Sequence, residues 1–226
     1  MKKHIPITLL TGYLGSGKTT LINHILTNNN DYKIAVVVND IGSVNVDADL
    51  IEKGGMVSAK DESLVALSNG CICCNLKMDL VEQILDIVRQ DKFSHIVIEA
   101  SGICEPIPIA QTICMINEMC NDDVCYLDSI LTVTDANRLV SEFDCGDSLK
   151  REDIDDEDLE KLIIEQLEFC NIVVLNKVDD ITSSQLQEVK AVIKSIQPNA
   201  KIIETNYSKI DLDNVFDTNL FDFDNA

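Results

Sequence analysis

The sequence predicts an α/β fold: a mostly parallel sheet with helices on both faces. Three observations predict it. Short apolar runs alternate with segments of helical periodicity along most of the chain. Several of those runs, KIAVVVN at 33–39 above all, are continuous and β-branched, the pattern of strands covered on both faces. The first run ends in a glycine-rich turn that opens into a helix with the spacing G-x-x-x-x-G-K-[ST]. A strand, that loop and a helix in succession make a phosphate-loop NTPase architecture.

Taken in order, Ile5–Leu10 reads as the first buried strand and Lys18–Leu26 as the helix after the loop. Lys33–Asn39 is the second strand. Leu76–Arg89 places Leu76, Leu80, Val81, Ile84, Leu85 and Val88 at helical spacing. Ile96–Ile98 is a strand, Pro106–Cys120 a helix, and Ile130–Val133 and Ile172–Leu175 are two more buried strands. Ser183–Ser195 is helical, with Ser183 or Ser184 as N-cap and Pro198 beyond its end. Ala200–Glu204 is a last strand and Leu212–Phe216 a final turn of helix. The stretch Asp144–Glu160, with nine acids against two bases, reads as a solvated loop leading into a surface helix, or less simply as a metal-collecting loop. The tail Asp211–Ala226 has five acids and no base and is expected to fray.

Composition narrows the function. The 226 residues suit a single domain, read here as 1–226. No run of 18 apolar residues exists, and the N-terminal apolar run is too short for a signal peptide, so a cytoplasmic location is expected. A net charge of −21 sets the chain against DNA, RNA and anionic membranes, so neither nucleic acid nor membrane is expected as a partner. A small anion can still bind where backbone N–H groups and a lysine override that field. The nine cysteines are odd in number and partly clustered, which points to metal or redox chemistry rather than a disulfide framework. The three histidines, His4, His24 and His95, form no tract and read as structural or surface residues.

The loop Gly12-Tyr-Leu-Gly15-Ser16-Gly17-Lys18-Thr19 supplies the chemistry of a nucleotide site. Its glycines let the backbone wrap a phosphate, and its N–H groups and the following helix N-terminus present positive ends. Lys18 would bridge the β- and γ-phosphates, and the Thr19 hydroxyl would bind Mg²⁺. Asn176-Lys177-Val178-Asp179 follows a buried strand. A carboxylate there accepts from both N1–H and the exocyclic amine of guanine, so Asp179 would select GTP over ATP. Glu99 stands at the end of a strand, where parallel sheets gather ligands, and Gly102 follows it. Glu99 would hold a Mg²⁺-bound water or position the attacking water, or merely cap its strand; Gly102 would offer its N–H to the γ-phosphate. Asp40 is a second candidate for the magnesium sphere.

Cys71-Ile72-Cys73-Cys74 puts three thiols within four residues, just before the helix at Leu76. A helix N-terminus lowers thiolate pKa, and a soft divalent cation relieves the repulsion among thiolates, so Zn²⁺ or Co²⁺ is the expected ligand. Three ligands leave one position open, which suits transfer. A buried structural role and redox sensing are the competing readings.

Thr11-Gly-Tyr-Leu-Gly-Ser-Gly-Lys-Thr-Thr20, Asn39-Asp-Ile-Gly42, Gly70-Cys-Ile-Cys-Cys74, Glu99-Ala-Ser-Gly102 and Asn176-Lys-Val-Asp179 occur in the order of the CobW-like metallochaperone GTPases, relatives of HypB and UreG. The resemblance runs from about residue 5 to about residue 216. It implies a slow GTPase that binds GTP, Mg²⁺ and Zn²⁺ or Co²⁺ and delivers the transition metal to a client metalloprotein, with nucleotide-dependent homodimerisation open. On this resemblance Thr20 joins the phosphate-binding residues. The chain departs from the family's pattern in three ways. The usual C-terminal domain is not expected in 1–226, Ser43 stands where a second acid is usual, and Ala100 where a hydroxyl is usual. Two rivals remain: a redox-switched regulatory GTPase, and a GTP-dependent activator or remodeller of a cofactor enzyme with structural metal.

Overall fold

Seven strands pair side by side in the computed structural model: β1 (Ile5–Thr11), β2 (Ile34–Val38), β3 (Leu64–Ala66), β4 (His95–Glu99), β5 (Cys125–Asp135), β6 (Ile172–Asn176) and β7 (Lys201–Glu204). They lie in the order β3-β2-β4-β1-β5-β6-β7, and each of these pairings is parallel. The helices are α1 (Lys18–Thr27), α2 (Leu76–Arg89), α3 (Pro106–Cys120), α4 (Ala136–Glu142), α5 (Leu159–Glu168) and α6 (Ser183–Ile196). The structure describes residues 4–27, 32–38, 64–66, 76–150, 154 and 159–222. Among them, no helix is long and apolar enough to cross a membrane.

Successive residues of the central strands feed two separate cores, as a period of two requires. Leu9, Val37, Ile98, Ile130 and Val173 face one side, where Ile84 of α2, Ile113 of α3, Leu167 of α5 and Ile193 of α6 cover them. Leu10, Val36, Val97, Leu131 and Val174 face the other, against Leu21, Ile22 and Ile25 of α1. Every residue of β1, β2, β4 and β6 is buried, which is why those strands were visible as unbroken apolar runs.

Four features differ from the sequence expectations. β5 extends to Cys125–Asp135 because its polar residues Asp128, Ser129, Thr132 and Thr134 are buried in the sheet rather than ending it. β3 and α4 were not expected at all; α4 is N-capped by the Asp135 side chain, which accepts the Arg138 N–H at 3.0 Å. The cap of α6 is Thr182, in a reciprocal capping box with Gln185, and not a serine. The fourth difference is the tail, whose described part, residues 211–222, is held, while 223–226 lie outside the described residues. Leu212, Val215 and Phe216 are buried on the α1 side of the sheet. Asp128 sits at the bulge where β1 and β5 slip register, fully buried. Its carboxylate accepts the Asn219 N–H at 2.6 Å and the Thr218 hydroxyl at 3.0 Å, and its carbonyl accepts Leu220 N–H and Phe221 N–H. Buried hydrogen-bond partners outweigh the local acidity that suggested fraying.

Removing that carboxylate leaves buried donors without an acceptor. Asp128→Ala is expected to lower stability by about 2 kcal/mol in urea unfolding and to speed hydrogen exchange at Asn219. The buried thiols set a pH dependence. Burial pushes Cys125 and Cys170 up to about 12 from an ordinary 9.0. The unfolded chain loses those protons first, so their contribution is complete below pH 9 and is lost as pH rises towards 12. The urea midpoint should fall over that range, and less so in Cys170→Ala.

Candidate functional site

The carboxyl ends of β1, β4, β5 and β6 converge on the turn between β1 and α1. Gly12 and Gly17 adopt φ of 134° and 116°, values that L side chains rarely adopt. A Cβ at Gly12 would strike the Val133 carbonyl, and one at Gly17 the Asn176 side-chain amide. Gly15, at φ 79°, has open space where a Cβ would stand. The loop passes so close to β5 and β6 that only glycine fits at its two ends.

Every carbonyl of the loop from Gly12 to Gly17 has a donor. Gly12 O accepts the ammonium of Lys18 at 2.8 Å, and Tyr13 O accepts Ser16 N–H at 3.2 Å. Leu14 O accepts Arg138 Nη1–H at 3.2 Å and Gly15 O accepts Lys177 Nζ–H at 3.2 Å. Ser16 O accepts Asn176 Nδ2–H at 2.9 Å. Gly17 O accepts Leu21 N–H at 2.9 Å and the Ser208 hydroxyl at 3.1 Å. A loop whose carbonyls are all engaged has its negative ends neutralised, and its amides can face an anion. Lys18, only 7% exposed, lies within the loop's curl.

Asn176, buried at the end of β6, joins this loop to a second one. Its Oδ1 accepts Ser208 N–H at 3.0 Å while its amide holds Ser16. The second loop, Thr205–Ser208 after β7, is anchored by further bonds. Val178 N–H reaches Thr205 O at 3.4 Å, and Asp179 N–H reaches Asn206 Oδ1 at 3.1 Å. Asp179 is exposed, in a short 3₁₀ turn, beside Asn206. The structure therefore sets Asn176 and Lys177 on the carbonyls of Ser16 and Gly15, with Asp179 in the turn that follows, beside Asn206. Sequence reasoning missed Ser208, Asn206, Asp135 and Arg138. The acid and serine at strand ends were the available signal, but polar residues after strands are too common to single out.

Glu99 ends β4 in register with Leu10 and is 2% exposed. Gly102 lies against the loop: a Cβ there would come 2.9 Å from Leu14 N and 3.3 Å from Lys18 Nζ. Lys18 and Gly102 are thus brought together. Gln166 of α5, buried, reaches this segment at Gly102 O, 3.4 Å away. Cys104 is raised, chiefly by burial, against lowering by Ser101 hydrogen bonds and Lys18, with Glu105 raising it further. Thr19 is half-buried on the first turn of α1, and Thr20 is exposed. Asp40, Cys71, Cys73 and Cys74 lie outside the described residues. Among the described residues, no cluster of three or more His, Cys, Asp or Glu is arranged to hold a metal ion. His24 meets the backbone of Ile210 and His95 packs against Phe216, structural roles both.

Comparison with known proteins places the chain. A family model for the CobW/HypB/UreG nucleotide-binding domain matches residues 6–204. A zinc-regulated GTPase metalloprotein activator 1 from Dictyostelium discoideum is 36% identical over 98% of this chain and 50% of its own. A zinc chaperone CobW from Sinorhizobium sp is 34% identical over 84% of this chain and 56% of its own. The chain spans about half the length of the curated relatives it matches. The zinc-bound YjiA GTPase from E. coli shares the fold, with a TM-score of 0.66 at 24% identity, over 97% of this chain and 63% of that one.

The glycine at the helix end of the loop gives a direct check. Gly17→Ala forces Asn176 off the loop as well as straining the backbone. Binding of a fluorescent GDP should weaken at least about hundredfold, with far-ultraviolet circular dichroism unchanged.

Proposed function

The chain belongs to the CobW/HypB/UreG nucleotide-binding domain family, and on that premise we propose that it is a GTP-hydrolysing metallochaperone domain. It binds GTP at the glycine loop, takes Zn²⁺ or Co²⁺ as cargo at Cys71, Cys73 and Cys74, and passes the ion to a client metalloprotein. The observation that carries the reading is the loop whose carbonyls are all engaged, tied through Asn176 to the segment that ends in Asp179. Zinc appears in the names of the relatives, and the three closely spaced thiols suit a soft ion.

Each residue has a task in this scheme. Lys18 leaves Gly12 O for the β- and γ-phosphates, trading a carbonyl for a full negative charge. The amides of the loop and the α1 N-terminus hold the remaining phosphate oxygens. Asp179 accepts both donors on the guanine edge, a pattern adenine lacks. Glu99 orients the attacking water from the end of β4, and Gly102, pressed against Leu14, offers its N–H to the γ-phosphate. The Thr19 hydroxyl and the buried Glu99 carboxylate are hard oxygen donors that fit Mg²⁺, with Asp40 as a third. When bound, Mg²⁺ neutralises charge on the β- and γ-oxygens.

In this scheme GTP tightens metal binding at Cys71, Cys73 and Cys74, and hydrolysis weakens it. The coupling is reciprocal: if GTP tightens metal binding about tenfold, metal tightens GTP binding about tenfold, about 1.4 kcal/mol. The test is Co²⁺ titration by absorbance, with Mg²⁺ and a non-hydrolysable GTP analogue, its adenine counterpart, or GDP. A tight tetrahedral thiolate spectrum with the GTP analogue alone is expected. The same spectrum in all three states points to structural metal, and no thiolate band in any removes metal delivery.

A further inference from the structure

One carboxylate joins the two halves of the site. Asp135 ends β5, with a side chain 13% exposed. Its Oδ1 accepts the Arg138 backbone N–H at 3.0 Å and so caps α4. Its Oδ2 pairs with Lys177 Nζ at 2.5 Å. Lys177 has a left-handed backbone, φ 61°, and the same ammonium that meets Asp135 donates to Gly15 O at 3.2 Å. Arg138, placed by the cap, donates to Leu14 O at 3.2 Å, lies 4.3 Å over the Tyr13 ring, and is held at Nε by Glu142 at 2.6 Å. Two cations set by the same carboxylate therefore take adjacent carbonyls at the apex of the loop.

We propose that Asp135 is a positioning residue for nucleotide binding: it holds Lys177 and Arg138 on the Gly15 and Leu14 carbonyls and ties the base-reading segment to the phosphate loop. The proposal rests on the nucleotide-binding reading above. Its physical basis is preorganisation. A lysine side chain has many rotamers, and an ion pair that fixes it in advance removes that entropy from the cost of binding. The pair is shielded on the Asp135 side and half-open on the Lys177 side, so it is worth more than a fully exposed pair. Base and β-phosphate are common to GDP and GTP, so the two nucleotides benefit equally.

The test separates the ion pair from the helix cap. Asp135→Ser keeps a good capping oxygen but is too short to reach Lys177. GDP and GTP affinities are measured by calorimetry for the wild type, Asp135→Ser, Lys177→Met and the double variant, with Asp135→Asn as a second capping-competent replacement. Each single change should weaken both nucleotides by a similar factor, about tenfold, and the double should be no weaker than Lys177→Met alone. Additive losses, or Asp135→Ser and Asp135→Asn binding like the wild type, overturn the proposal while the wild type still binds. A wild-type chain that binds neither guanine nucleotide overturns the nucleotide reading and this proposal with it.

Discussion

A backbone that is to hold an anion must dispose of its own carbonyls. Six consecutive residues, Gly12 to Gly17, meet that constraint by giving each carbonyl a donor. Three of those donors are cations, from Lys18, Arg138 and Lys177, so the same contacts also gather positive charge. Arg138 and Lys177 also pair with Glu142 and Asp135, so part of that charge is offset within a chain of net charge −21. The long-range field still acts against polyanions, whose charge extends beyond the cradle.

The sheet order is what brings these donors within reach. β1 sits between β4 and β5, and β6 lies next to β5. The loop that leaves β1 therefore has the Glu99–Gly102 segment on one side and Asp135, Arg138 and Asn176 on the other. Parallel pairing puts all these carboxyl ends on one edge of the sheet. The two glycines at φ 134° and 116° let the loop pass close to β5 and β6 without a Cβ in the way. The cores on the two faces hold the strands in register, and the Asp128 strap draws the acidic tail into that framework.

Much of this was legible beforehand. Unbroken apolar runs announced β1, β2, β4 and β6 because strands covered on both faces have no polar side to show. The glycine loop and the Asn176–Asp179 segment were legible as motifs because each concentrates particular residue types at close spacing. β5 was half-hidden: Asp128, Ser129 and Thr134 look like the ends of the run Ile130–Val133, yet all three are buried in the sheet, with the tail as partner to Asp128. The acidic tail misled for the same reason, since its charges say nothing of the buried Leu212, Val215 and Phe216 contacts.

The sequence by itself determined the fold class, the glycine loop between β1 and α1 and the strand-end position of Asn176–Asp179. Each of these is encoded within a few neighbouring residues, by periodicity or by a motif. Only the tertiary structure decided which side chains complete the loop. Asp135, Arg138, Gln166 and Ser208 are far from it in sequence, and nothing in their neighbours distinguishes them from ordinary polar residues at strand and helix ends. The sheet order sets Arg138 and Ser208 beside loop carbonyls that need a donor, Gln166 beside Gly102 O, and Asp135 where it accepts from Lys177, and that adjacency arises only when β1, β5, β6 and β7 lie in one sheet.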